Sequence, residues 1–366
     1  MSPEKRTLPA RYYTDPDLFR RERERIFATM WVCAGRTEEI DGAGDFVLRD
    51  IAGESVIITR RKDGALAAHY NVCRHRGTRL CTDASGHFPD RIQCPYHGWT
   101  YDLDGRLLGA PHMDAASGFR RDEQALTPVG VGEWDGHVFL TLSPAPPPLL
   151  EQLCGLPERF GAWQMGELRR AYRVTYEVKA NWKLLMLNYS ECLHCPLIHP
   201  ALQRNADYLS GDNEPVTDSW FGGAMSLREG IFTMSRDGRQ RRQPLPGLSD
   251  TQRRHGYYYA VLPNLLLSLH PDYVMTHTLW PMACDLTRIV CEWHFHPSEH
   301  DSPLFDPSDV IDFWDETNRQ DWHVSELSQA GISSRAYRPG VYSPREGLLW
   351  EFDRVVSRII DGSLNA

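Results

Sequence analysis

Residues 73–99 read CRHRGTRLCTDASGHFPDRIQCPYHGW, and this stretch decides how the first part of the chain must fold. It holds two ligand pairs, Cys73-x-His75 and Cys94-x-x-His97, with residues 76–93 between them. Two thiols and two imidazoles at such short spacings form the donor set of a four-ligand metal site. Gly77 and Gly98 close the two loops, and a glycine there lets the backbone come close to a bound group. Upstream, FVLRDI, SVIITR and AAHYNV are β-prone runs separated by Gly53 and by Lys62-Asp63-Gly64, which predicts a strand meander. Downstream, WTYDLDGRLLG continues the strands through the turn at Asp104-Gly105. The proline-dense run Ser143-Pro-Ala-Pro-Pro-Pro148 then ends an all-β module expected over residues 41–145.

The remainder, 1–40 and 146–366, reads as a second module of mixed character. DPDLFRRERERIF predicts a helix over 15–27, with Asp15 as N-cap and Pro16 in the first turn. RAYRVTYEVKA alternates like a strand, and 256–296 holds long β-prone runs that predict an antiparallel sheet with one wet face. A helix is expected from Asn181 to His194, ended by Pro196, and another over 308–329. The fold class is therefore α+β, an all-β domain followed by an antiparallel sheet covered by helices. Hydrophobic residues make up 41% and charged residues 24%, which excludes disordered and fibrous classes. The net charge of −9 argues against nucleic acid or an anionic membrane as partner. No apolar run approaches the ~20 residues of a membrane span, and Met1–Arg6 leads into no apolar signal region, so a reducing cytoplasm is expected. In that compartment nine cysteines do not imply disulfides, and metal binding or buried thiols must account for them. Gly130-Val-Gly132 is a lone GxG without a nucleotide-binding context, so nicotinamide or flavin chemistry must come from another protein.

A second constellation lies in NWKLLMLNYSECLHCPLIHP, residues 181–200. On a helix Glu191 and His194 share a face, whereas His199 converges on them only where the helix is broken, and Pro196 supplies a break. A two-histidine, one-carboxylate iron site needs one more acid. In the 308–329 helix Val310, Trp314, Thr317, Asp321, Val324 and Ser328 recur at threes and fours, which turns Asp321 inward. A buried carboxylate demands a cation, a metal or several hydrogen bonds. A rival site, Glu292, His294 and His296, alternates along one strand, where a polar, solvent-facing strand side is the simpler account.

Three accounts fit the first cluster: structural zinc, unliganded core thiols, or a Rieske [2Fe–2S] cluster in which two cysteines hold one iron and two histidines the other. CRHRG followed by CPYHGW resembles the signature of the Rieske non-haem iron, or aromatic-ring-hydroxylating, oxygenases. The segment ExxHxxxxHP within NWK…N resembles their iron motif, closest to the choline- and betaine-type branch, and FWDETNRQDWHVSE is similar to their segment carrying the third ligand. The resemblance implies a cluster held by Cys73, His75, Cys94 and His97, and a mononuclear iron held by His194, His199 and Asp321. It places Asn188 and Glu191 in the catalytic machinery, with Glu191 linking His194 to His97 of a neighbouring subunit in a head-to-tail homotrimer. It further implies O2 as co-substrate and an NAD(P)H-dependent flavin/iron–sulfur reductase as partner. The activity it implies is hydroxylation or N-demethylation of a small quaternary-ammonium or N-methyl compound. Among the aromatics of the second module, Trp220, Phe221, Tyr257, Tyr258, Tyr259, Tyr273 and Trp280 are the candidates for an aromatic cage, with a place in the sheet core as the simpler account of any single one. Hydroxylation of an aromatic or natural-product ring is the alternative, and a zinc-stabilised binding protein without redox chemistry is the more distant one.

Overall fold

The computed structural model describes residues 4–214 and 216–362. It divides into two units, one spanning Phe27–Gln152 and the other running to Ile26 and resuming at Leu153.

The Phe27–Gln152 unit is built from ten short strands: β1 (Val32–Arg36), β2 (Asp45–Ile51), β3 (Glu54–Arg60), β4 (Leu66–Tyr70), β5 (Ser85–His87), β6 (Arg91–Gln93), β7 (Thr100–Asp102), β8 (Leu107–Gly109), β9 (Gly130–Trp134) and β10 (His137–Thr141). They form three antiparallel sheets, ordered β1-β10-β9, β4-β3-β2-β5 and β6-β7-β8. The limits at 27 and 152 enclose the expected 41–145, because β1 hydrogen-bonds to β10 and so ties residues 32–36 to this unit. Phe46, Ile57, Leu80, Ile92, Trp99, Tyr101 and Leu107 pack into one core, and Cys73 and Cys94 are part of it.

In the other unit, β11 (Arg169–Val178), β12 (Asp212–Asn213), β13 (Trp220–Ser226), β14 (His255–Val261), β15 (Leu265–Leu269), β16 (Val274–Ala283) and β17 (Leu286–Phe295) form one seven-stranded antiparallel sheet, ordered β11-β17-β16-β15-β14-β13-β12. The expected wet face is not there: every residue of β15, and Val274–Leu279 of β16, is buried. Successive strand residues point to opposite faces, and β14 shows how both faces are covered. Tyr258 turns toward Tyr189 of the helix Trp182–Tyr189 and Trp314 of the helix Ser308–Ile332, while Tyr257 and Tyr259 turn toward Trp163 and Phe160.

The helix Trp182–Tyr189 is fixed at its start. Asn181 is its N-cap, its side chain accepting from the Lys183 amide and donating to the Cys284 carbonyl at 2.7 Å. Trp182 Nε1 donates to Glu22 Oε2 at 2.7 Å, and the buried Lys183 ammonium pairs with Glu22 Oε1. Glu22 ends the short helix Pro16–Glu22, which Asp15 caps through the Asp17 amide, and a π-helical turn over Arg23–Phe27 completes the expected N-terminal element. Contrary to expectation, the iron-motif helix does not reach His194. It ends at Tyr189, and a separate turn of helix, Cys195–Ile198, restarts with Pro196 in its first turn. Proline fits only there, since inside a continuous helix its ring would clash with the carbonyl four residues back. The long helix Ser308–Ile332 runs further than predicted, and past Asp321 its buried positions are Trp322, Ser325, Gln329 and Ile332, leaving Ser328 exposed. Among the described residues no helix is long and apolar enough to cross a membrane.

Candidate active site

The two loops of the first cluster are built alike. The Cys73 amide donates to the Thr78 carbonyl at 2.8 Å and the Gly77 amide to the Cys73 carbonyl at 3.0 Å; the Cys94 amide donates to Trp99 at 2.8 Å and the Gly98 amide to Cys94 at 3.2 Å. Both turns need a left-handed residue, and Gly77 (φ 76°) and Gly98 (φ 71°) supply it without the cost a side chain would add. The thiols lie inside, at 2% and 3% exposure, whereas His97 is exposed. The rings of His75 and His97 meet edge to face at 4.7 Å, and Trp99 stacks on His75 at 4.8 Å. Trp99 is buried, whereas Tyr96 is 57% exposed. His75 Nδ1 is buried without a hydrogen-bond partner, an omission a folded protein tolerates only when something else satisfies the atom. Two buried thiols, two imidazoles and one orphaned ring nitrogen suit a [2Fe–2S] group of mixed ligation.

Sequence reasoning missed Tyr101. Its hydroxyl, fully buried, accepts from the Arg74 amide at 3.1 Å and lies 3.4 Å from Cys73 Sγ. Burial first, then the contact with Cys73, pushes the phenol above its ordinary range, so the proton stays on oxygen, and with the Arg74 amide donating to that oxygen, Cys73 Sγ is the acceptor in reach of it. The only signal was its position seven residues after Cys94 in a strand whose alternate residues face inward.

In the other unit the broken helix brings Glu191, His194, His199 and Asp321 together. Nε2 of His199 lies 2.8 Å and Nε2 of His194 3.3 Å from the same atom, Asp321 Oδ1, and the two rings stand at 79° to each other. Their other nitrogens are held from behind: Nδ1 of His194 by Glu191 Oε1, and Nδ1 of His199 by Gln320 Oε1 at 2.7 Å. Gln320, beside Asp321 on the long helix, is a second residue the sequence did not reveal. The second Glu191 oxygen accepts from the Leu193 amide, which fixes the turn that replaces the expected helix. Burial pushes the Asp321 carboxyl up, but hydrogen bonds from His194 and His199 outweigh it and hold the group below the usual carboxylate range. Burial likewise opposes charge on His194, yet its bonds to Asp321 and Glu191 raise its pKa to about 9. Two nitrogens and a carboxylate oxygen converging from three directions, each imidazole oriented from behind, suit a divalent metal ion.

Cys192 and Cys195, expected as free thiols in a reducing compartment, are bonded to each other across this turn. A disulfide over two intervening residues needs no framework of distant cysteines, only the tight turn that Glu191 already imposes. The rival residues do not form a site: Glu292 is buried against Arg170 and Arg173 instead of facing solvent, and His296 lies past the end of β17.

A cavity of about 300 Å³ opens onto the triad. Its lining includes Asn188, Tyr189, Glu191 and the triad, together with Tyr208, Gly222, Gly223, Ala224, Tyr258, Trp314 and Arg345. Of the aromatics expected in a cage only Tyr258 reaches it. Trp220, Phe221, Tyr259 and Tyr273 are buried in the sheet core, and Tyr189, Tyr208 and Trp314 take the wall positions instead.

Residues 30–125 match the Rieske [2Fe-2S] domain, and residues 165–362 match the catalytic domain of the ring-hydroxylating alpha subunit. The chain is 32% identical to the glycine betaine monooxygenase oxygenase subunit of Pseudomonas aeruginosa, over 92% of this chain and 85% of that one. It is 30% identical to the carnitine monooxygenase oxygenase subunit of Escherichia coli, over 91% and 86%. The crystal structure of the quaternary ammonium Rieske monooxygenase CntA in complex with L-carnitine superposes with a TM-score of 0.81 at 26% identity, covering 97% of this chain and 96% of that one. The chain belongs to the Rieske non-haem iron oxygenases, as an oxygenase subunit that carries a Rieske [2Fe–2S] cluster and a mononuclear iron and depends on a separate reductase.

Proposed function

We propose that this oxygenase hydroxylates an N-methyl group of a small quaternary-ammonium or related amine, with Cys73, His75, Cys94 and His97 holding the cluster and His194, His199 and Asp321 the mononuclear iron. The observation that carries the assignment is the approach of both Nε2 atoms to one Asp321 oxygen on the wall of an aromatic-lined cavity. When bound, the iron supplies O2 activation with electrons relayed from the cluster. The chain's own residues do the rest. Glu191 and Gln320 keep the two imidazoles turned with Nε2 toward Asp321. Tyr258 and Trp314, whose rings meet edge to face at 6.2 Å, place aromatic surface on the wall where a cationic nitrogen would sit, with Arg345 the only Lys or Arg among the described lining residues. The hydroxylated methyl carbon on nitrogen leaves as formaldehyde. Asn188, on the cavity wall one turn before the iron motif, is assigned to positioning substrate.

The same reading makes the active unit a homotrimer in the cytoplasm, in which His97 of one chain meets Glu191 of the next, and makes the electron donor an NAD(P)H-dependent flavin/iron–sulfur protein. The exposure of His97 and of one edge of Glu191 in the single chain supports that contact. Incubating the holoenzyme with a surrogate reductase, NADH and a panel of N-methyl and aromatic acids tests the activity. Formaldehyde released in proportion to NADH consumed is the expected result; ring-hydroxylated product without formaldehyde would replace it with the aromatic alternative.

A further inference from the structure

The cavity wall carries a pair of sulfurs that the reaction above leaves unused. Cys192 and Cys195, joined in the only disulfide among the described residues, both line the cavity. Cys195 sits between the two histidines of the triad: it follows His194 directly, and its carbonyl accepts from the His199 amide at 2.8 Å. Its Sγ lies 3.9 Å from Nε2 of His194, the same nitrogen that faces Asp321. One donor atom from each of His194, Cys195 and His199 falls within 4.8 Å of the other two. Nitrogen and sulfur donors on one tetrahedral ion stand roughly 3.6 Å apart, given bonds of about 2.1 and 2.3 Å. The sulfur is therefore already near ligand distance, and what withholds it is its bond to Cys192.

Resting on the assignment of His194, His199 and Asp321 to the mononuclear metal, we propose that Cys192 and Cys195 form a reversible oxidation site that sets how many protein donors the metal has. As a disulfide the pair offers no thiolate, and three donors leave the metal open positions. As a dithiol it lets Cys195 Sγ join His194, His199 and Asp321, and a four-donor set containing sulfur is the closed, tetrahedral kind that suits zinc better than iron(II). The oxidant is hydrogen peroxide, which forms where O2 takes up two electrons and two protons without substrate being oxidised. One thiol sulfur attacks a peroxide oxygen, giving a sulfenic acid and water; the second thiol then displaces the hydroxyl as a second water and closes the S–S bond. Exchange with an external dithiol returns the two electrons and two protons. Cys192 is half-buried and Cys195 buried, and the cavity that both line admits small reagents to them.

Zinc is the probe, because X-ray absorption at the zinc edge sees this site apart from the cluster irons. The holoenzyme, stripped of its mononuclear iron with a ferrous chelator and loaded with one zinc per chain, is compared after stoichiometric peroxide and after a phosphine reductant. Alkylation and peptide mapping verify the state of the pair, and the visible absorption of the cluster verifies the fold. The reduced protein should show one sulfur neighbour at about 2.3 Å and the oxidised protein none. Reduction should tighten zinc binding at least about tenfold, since a closed zinc site draws its affinity from four donors. Cys192→Ala should bind zinc through sulfur even without reductant, and Cys195→Ala should never do so. Zinc held by nitrogen and oxygen alone in the reduced wild type, an affinity indifferent to the state of the pair, or a dithiol that peroxide fails to close would overturn the proposal and leave the triad standing. Zinc bound equally well by oxidised Asp321→Ala protein would instead overturn the triad assignment, and the proposal with it.

Discussion

Tyr101→Phe removes one hydroxyl and should lower the reduction potential of the cluster. The Tyr101 oxygen already accepts from the Arg74 amide at 3.1 Å, so its own proton is free for Cys73 Sγ at 3.4 Å. Reduction puts more negative charge on the sulfurs, and a hydrogen bond to a ligand sulfur therefore favours the reduced state. A single net hydrogen bond is worth about 0.5–1.5 kcal/mol. For a one-electron couple, about 59 mV corresponds to about 1.4 kcal/mol, so the expected fall is about 20–65 mV. Phenylalanine keeps the ring in the buried core that Tyr101 shares with Ile92 and Trp99, so folding and cluster content should be preserved. A redox titration followed by circular dichroism or by the reduced EPR signal measures the shift. An unchanged or raised potential, with the cluster intact, would refute the assignment of Cys73 as a ligand whose sulfur Tyr101 tunes.

Three other perturbations probe the second centre and its support. Gln320→Leu leaves Nδ1 of the buried His199 without its acceptor, and should weaken iron binding by about tenfold to a hundredfold, measured by competition with a ferrous chelator. Glu191→Gln should leave both metals bound while cutting turnover by about tenfold to a hundredfold; near-normal formaldehyde release would show that Glu191 does not link the two centres. Lys183→Met strands a buried Glu22 and should cost about 3–5 kcal/mol in denaturant unfolding, whereas the Lys183→Met, Glu22→Gln double variant, which keeps an oxygen for Trp182 Nε1, should recover most of the loss.

The candidate ligand residues stand out in the sequence because most of them belong to a dense local pattern. Cys73, His75, Cys94 and His97 fall in two short loops, and Glu191, His194 and His199 fall within nine residues of one another. Asp321 became a candidate for a different reason, as an acid on the apolar stripe of a long helix whose segment FWDETNRQDWHVSE resembles the one that carries the third ligand in the family. What escaped were partners brought from elsewhere by the fold. Gln320 reaches His199 across 121 positions and Tyr101 reaches Cys73 across 28, and neither residue type signals such a role by itself. The helix through 181–194 failed because helical spacing of Glu191 and His194 is equally satisfied by a turn, and the side chain of Glu191 favours the turn by bonding to the Leu193 amide. The wet face failed because alternation in β14 through β17 tests only whether two faces differ, while here helices cover one and the Phe160–Trp163 segment the other. Which candidate aromatic would reach the cavity was not legible, since a tyrosine pointing to the sheet core and one pointing to the cavity look alike in sequence; Tyr258 lines the cavity, whereas Trp220, Phe221, Tyr259 and Tyr273 take the sheet-core places that were the simpler account of each.

The measurement closest to the central claim is iron content and the visible spectrum of Asp321→Ala beside the wild type. The account predicts about three irons per chain in the wild type, and a variant that loses about one of them while keeping its visible absorption and rhombic reduced EPR signal. A variant that keeps all its iron, or that loses its colour, would contradict the assignment of two separate centres on these residues.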